Sequence, residues 1–103
     1  MSEFVLHPHA AKDLEEIWEY IAADSLDAAD RGGEEIYDAI QSLVLLPYAG
    51  HIRPDLTGRP LRFQTVRDYL IAYAPDEKPL AIIAVLHGRR NPRLIAAMIR
   101  KRT

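Results

Sequence analysis

Ten of the thirteen basic side chains in this 103-residue sequence are arginine. Three of them, Arg89, Arg90 and Arg93, crowd one short segment directly after His87-Gly88. The planar guanidinium fork grips a phosphate or a carboxylate through two parallel hydrogen bonds. A histidine of ordinary basicity titrates close to neutrality and so can give or take a proton. The segment His87–Pro92 could therefore bind an anion, or with His87 as acid or base assist a transfer at one. The plainer use of His87 is a hydrogen bond from a strand end to a loop backbone. Arg62 interrupts an apolar strand pattern, where it could face a phosphate or pair with an acid of the first half. Arg100-Lys101-Arg102 reads as a solvated basic cluster that adds non-specific attraction to nucleic acid. His7 and His9 flank Pro8 and read as structural or exposed, and His51 stands alone. Nothing supplies metal-ligand spacing, and with no cysteine a disulfide scaffold, a thiolate zinc site and a cysteine nucleophile are all excluded.

Position sorts the charges. Residues 1–50 carry two basic residues against eleven acidic ones, a formal charge of −9, and residues 51–103 carry eleven basic against four acidic, +7; together they give the net −2. Such asymmetry points to one face that attracts a polyanion or an acidic protein. The alternative is that the halves fold together and pair their charges. With 49% hydrophobic and 27% charged residues the composition is that of a soluble globular protein, and the length suits one domain over residues 1–103. The longest apolar run, Leu80–Leu86, is far short of a membrane span. No secretory signal is visible, so a cytoplasmic location is expected.

The elements that would position these residues follow from periodicity. Phe4-Val5-Leu6, ended by His7-Pro8, reads as a first strand. From Ala10 to Ala23, Leu14, Ile17, Trp18 and Ile21 recur at helical spacing and make one buried face. Ser25 or Asp27 would cap a second helix reaching about Leu46, with Ala29, Ile36, Ile40, Leu43 and Leu46 on its buried stripe. Gly32-Gly33 inside it implies a kink or a close helix approach, and Pro47 stops it. Residues 47–60 hold three prolines and two glycines and read as a loop. The period then becomes two: a strand over Leu61–Val66, a turn at Arg67-Asp68, a strand over Tyr69–Tyr73, a polar turn at 75–79 and a central strand over Leu80–Leu86. Tyr69 and Tyr73 share a face, suited to core packing or to stacking on a base or a partner's side chain. A short helix over Leu94–Arg100, with Leu94, Ile95, Met98 and Ile99 apolar, closes the chain; it either covers the core or completes a groove. The fold class is α+β, in the order β-α-α-β-β-β-α, with the helix pair packed on one face of an antiparallel sheet.

That order, on these residues, resembles the RelE/ParE superfamily of toxins from bacterial type II toxin–antitoxin pairs. Four blocks carry the likeness: the first strand running into Pro8–Ile21; Ala39–Leu43 with Leu46-Pro47 and Gly50; Leu61-Arg62 with Tyr69–Tyr73; and Ile83–Arg90. The first block and the Val85–Arg90 ending resemble the ParE branch. The resemblance implies a plasmid-stabilisation toxin that inhibits DNA gyrase, neutralised by a cognate ParD-like antitoxin and touching operator DNA only through it, with no membrane partner. The RelE branch instead cuts messenger RNA on the ribosome. That chemistry needs a base, cations for the phosphate and an acid for the leaving oxygen. Here residues 91–103 hold no Tyr or His, and residues 47–60 hold no lysine, only Arg53 and Arg59, and arginine is a poor base. Action by binding rather than as an enzyme is therefore expected. The alternatives are an RNase using His87, Arg62, Arg89 and Arg90, or a degenerate, non-toxic antitoxin-binding member. As a binder, the chain would offer its target Arg62, Arg89, Arg90 and Arg93, and its antitoxin Tyr69, Tyr73, Leu94 and Met98. No cofactor and no metal is implied.

Overall fold

The structure is a computed structural model that describes residues 3–102. Its elements are β1 (Phe4–Leu6), α1 (Pro8–Ala22), α2 (Leu26–Leu45), β2 (Arg62–Val66), β3 (Tyr69–Ala74), β4 (Leu80–His87) and α3 (Pro92–Arg100), in the expected α+β order. Pro8 begins α1 at the position where a missing N–H costs nothing, and His7 caps it by accepting the His9 N–H at Nδ1, 3.1 Å away. Ser25 caps α2 by accepting the Ala28 N–H at 3.1 Å. The helix then runs unbroken through Gly32-Gly33. A Cβ at Gly32 would meet Ile21 at an ordinary 3.5 Å, and at Gly33 it would meet nothing within 4 Å, so neither a kink nor a forced approach explains the pair.

The four strands lie in the order β1-β4-β3-β2. The meander β2-β3-β4 is antiparallel, while β1 joins β4 in parallel, so the sheet is mixed at that edge. The helix pair covers one face, where Ile36, Ile40 and Leu43 pack on Ile71, Tyr73, Ile82 and Val85. On the other face Ile95 and Ile99 of α3 pack with Phe63, Leu70, Ile83 and Leu86. Leu80–Leu86 is buried throughout, as a central strand covered on both sides must be. Two apolar expectations differ. Leu46, past the end of α2, is 66% exposed, and Trp18 is 41% exposed at the margin of the α1 stripe, where its indole N–H donates to Asp30 at 3.2 Å.

The stripe of α1 instead buries an acid. Asp13 stands three residues after buried Ala10 and four before Ile17, which puts it on the same face. β1 ends with the His7 N–H bonded to the Ile82 carbonyl (2.9 Å), so the rest of β4 has no neighbouring strand on that side. There Asp13 Oδ2 accepts the Val85 N–H at 3.0 Å, and Arg102 Nη1 donates to the Ile83 carbonyl at 3.3 Å. The two side chains also bind each other bidentately, at 2.5 and 2.9 Å, both buried. Arg102 therefore leaves the solvated cluster expected for it, because its guanidinium completes a sheet edge. Removing one partner of such a pair leaves a buried charge uncompensated, so Arg102→Met should lower unfolding stability by about 3–5 kcal/mol in urea titration. Gly50→Ala should cost about 1–3 kcal/mol in the same assay, since its Cβ would sit 2.5 Å from Tyr73 Oη and 2.8 Å from the Phe63 carbonyl.

Candidate functional site

β4 delivers the arginine segment to one end of the sheet. At that end the Gly88 N–H donates to the Asp68 carbonyl at 2.7 Å, which folds the chain tightly beside the β2–β3 turn; a Cβ at Gly88 would approach the same carbonyl oxygen to 3.3 Å. His87 is partly buried, edge-on to Tyr69 with ring centroids 5.6 Å apart. Its Nδ1 accepts the Arg89 N–H at 3.3 Å. A neutral imidazole accepting at Nδ1 carries its proton on Nε2. The remaining ring nitrogen is then a donor.

Arg89 reaches Asp68 at 3.4 Å, with both side chains mostly exposed, and Arg90 Nη1 lies 3.6 Å from Met98 Sδ. Arg93 is exposed on the first turn of α3, its backbone N–H capped by Asn91 Oδ1 at 2.9 Å. Leu94 beside it is 58% exposed, whereas Met98 packs partly against the α3-side core.

Arg62 does not join this group. It begins β2 opposite Tyr73, whereas Arg89 and Arg90 follow the strand end paired with Tyr69. Its Nη1 donates to the carbonyls of Gly50 (2.8 Å) and Tyr48 (3.2 Å), and its guanidinium stacks over the Tyr48 ring, 5.3 Å from the centroid. Arg62 thus meets neither a free phosphate-facing surface nor an acid of the first half; it fixes the loop that follows α2.

Tyr73 is likewise core. It is fully buried, and its hydroxyl accepts the Gly50 N–H at 2.9 Å. Of the two tyrosines expected on a partner-facing surface, only Tyr69 retains any exposure.

Tyr69, His87, Arg90 and Met98 come together on a cleft of about 870 Å³ whose opposite wall is α1, with Lys12, Glu16 and Tyr20. The Asp13–Arg102 pair lines it too. Sequence reasoning missed Lys12 and the ion pair; the available signal was an acid inside the Ala10–Ile17 stripe, which demands a cation. A smaller apolar hollow of about 320 Å³ lies between β1, α1 and α2, beside the half-exposed rings of Trp18 and Tyr37. Among the described residues no three His, Asp or Glu side chains are grouped so as to hold a metal ion, and no helix is long and apolar enough to cross a membrane.

Comparison with known proteins gives a consistent result. The family described as the ParE toxin of type II toxin–antitoxin systems, parDE, matches residues 4–92. Among solved structures the fold is similar to a chain of the chromosomal ParDE toxin–antitoxin system from P. aeruginosa, with a TM-score of 0.68 and 18% identity over 84% of this chain and 98% of that one. No protein of curated function matches.

Tyr73 yields a pH prediction. Burial pushes its phenol above the ordinary tyrosine value, opposed by the Gly50 N–H and the charge of Arg62. A pKa raised in the folded state favours the neutral phenol. Its contribution to stability is then full below the unfolded value near 10 and is lost as pH rises through the folded one. Denaturation midpoints should therefore fall above about pH 10, and Tyr73→Phe should flatten that fall. A Tyr73→Phe protein with an unchanged alkaline slope would show that another group sets it.

Proposed function

The chain belongs to the ParE toxin family of type II toxin–antitoxin systems, and we propose that it arrests growth in the cytoplasm by binding DNA gyrase and stalling its cleaved DNA complex. In this reading the molecule works through contact and carries out no bond-making of its own. A ParD-like antitoxin neutralises it, links it to operator DNA, and together the pair stabilises a plasmid.

The observation that carries the reading is the state of the β4 end. His87 has its Nδ1 committed to a backbone N–H, Arg89 and Arg90 after it have weak side-chain partners, and Arg93 is exposed. Exposed guanidinium groups on a rigid strand end suit recognition of an acidic or phosphate-bearing surface. An RNA-cutting site would need a general base, and the His87 Nδ1 already accepts a backbone N–H. The exposed aromatic margin of the α1–α2 hollow, Trp18 and Tyr37, is apolar surface of the kind a wrapping antitoxin covers.

Arg89→Glu with Arg90→Glu should abolish inhibition of gyrase supercoiling and relieve growth arrest while leaving the fold intact. The one ion pair lost is exposed and worth about 0–1 kcal/mol. A folded double variant that still inhibits gyrase would remove these residues from the interface. Transcript cleavage on translating ribosomes by the wild-type protein, lost in His87→Ala, would replace the gyrase reading with the nuclease one.

A further inference from the structure

On the α3 side of the same strand end lies a second, smaller hollow of about 260 Å³, lined by Arg53, Arg67, Arg89 and Arg90 together with Thr65. These arginines come from three separate places: the loop after α2, the β2–β3 turn and the loop after β4. The one carboxylate on its wall is Asp68. We propose that this hollow is a phosphodiester-binding pocket, which takes one backbone phosphate of a nucleic-acid strand.

Two independent observations support a ligand there. The first is the donor inventory. Arg53 holds Asp55 through Nε and Nη2 (2.9 and 2.8 Å), and Arg67 holds Glu35 through the same pair of nitrogens. Each fork is thereby oriented, and each keeps Nη1 uncommitted to any described residue. Arg90 has no carboxylate within ion-pairing distance among the described residues; its side-chain contact is the Met98 sulfur. Such ion pairs at a solvated surface are weak enough for a phosphate to share their cations. Thr65 brings a hydroxyl, a neutral donor of the kind that commonly meets phosphate oxygens.

The second observation is backbone strain. Arg67 has φ of +53°, the one non-glycine residue in the left-handed region among those described. A two-residue hairpin turn favours Gly or Asn in that conformation, and a long side chain there is strained. The turn nevertheless holds an arginine, which lines the hollow while its fork reaches Glu35 of α2. Backbone strain of this type clusters at functional positions.

The same strain supplies a clean variant. Arg67→Gly removes the cation and relaxes the turn, so the protein should fold at least as well as the wild type despite losing the Glu35 pair. Fluorescence anisotropy with a labelled single-stranded DNA oligonucleotide, and with an RNA of the same sequence, measures binding without gyrase, ribosome or antitoxin. The pocket is therefore judged separately from the toxic mechanism. At low salt the wild type should bind with Kd of roughly 1–100 µM. Arg67→Gly combined with Arg90→Gln should weaken it by about tenfold or more, and should reduce the slope of log K against log salt by about one to two. Lys78→Gln, an exposed cation at the opposite end of the sheet, should leave both unchanged. Stronger binding of the DNA or of the RNA identifies the strand. Inorganic phosphate at millimolar concentration should displace either oligonucleotide from the wild type. Wild-type affinity and salt slope in the folded double variant, equal weakening by Lys78→Gln, no binding at low salt, or phosphate that fails to displace the strand would each overturn the proposal.

Discussion

The structure depends on how the edge of β4 is closed. A central strand must place every backbone N–H and C=O, since an unpaired buried group costs as much as a lost hydrogen bond. β1 closes only the first half, because Pro8 turns the chain into α1 after Leu6. Opposite the Ala72–Tyr73 step β4 carries one extra residue, Ile83, and a bulge of this kind re-aims the groups that follow. The Ile83 carbonyl and Val85 N–H that then face the empty side are taken up by Arg102 and Asp13. One ion pair thereby stands in for a strand. It ties α1, β4 and the segment after α3 together, and Arg59 extends the link by donating to the carbonyls of Ile99 and Arg102.

This arrangement explains where the charges of the two halves go. Four ion pairs occur among the described residues, and two of them, Asp13–Arg102 and Glu35–Arg67, join the acidic first half to the basic second. Pairing across the halves therefore accounts for only two of the eleven cations that follow residue 50. Arg89, Arg90 and Arg93 stay outside it, and Arg89 and Arg90 lie at one end because the meander returns β4 beside the β2–β3 turn. The α1–α2 hairpin keeps most of its carboxylates in water, so the molecule presents opposite charge on its helical layer and at that end of its sheet.

Much of this was legible in the sequence, for a physical reason. Period-two and period-3.6 patterns report local geometry, and they located the helices, the meander and the doubly covered strand with its seven buried residues. Most of the errors concern partners far along the chain or in irregular backbone. Arg62 ends on carbonyls of a loop with no period to read. Asp13 finds its partner only 89 positions later, in Arg102, which reads locally as part of a solvated basic cluster. Trp18 sits at the edge of its stripe, where a few degrees of helix rotation decide between core and surface. Of the residues singled out for binding, the strand-end group Tyr69, His87 and Arg90 could be located from the alternation of β3 and β4. Tyr73 was sorted to the right face but lies beneath the helices, and alternation says nothing about what covers a face.

The long reach of the Asp13–Arg102 contact also has a consequence in time. The helical hairpin and the meander close short loops and can organise as soon as their own residues are available. The sheet edge cannot, because its two halves are separated by nearly the length of the chain and closing so long a loop carries the larger entropic cost. During synthesis, which proceeds from the N-terminus, β1 waits for β4, and β4's open edge waits for residue 102. A nascent chain that has already displayed its acidic helices is therefore expected to lack the finished strand end that carries the arginines. For a toxin-family protein, this order of assembly delays the finished strand end until synthesis has passed α3.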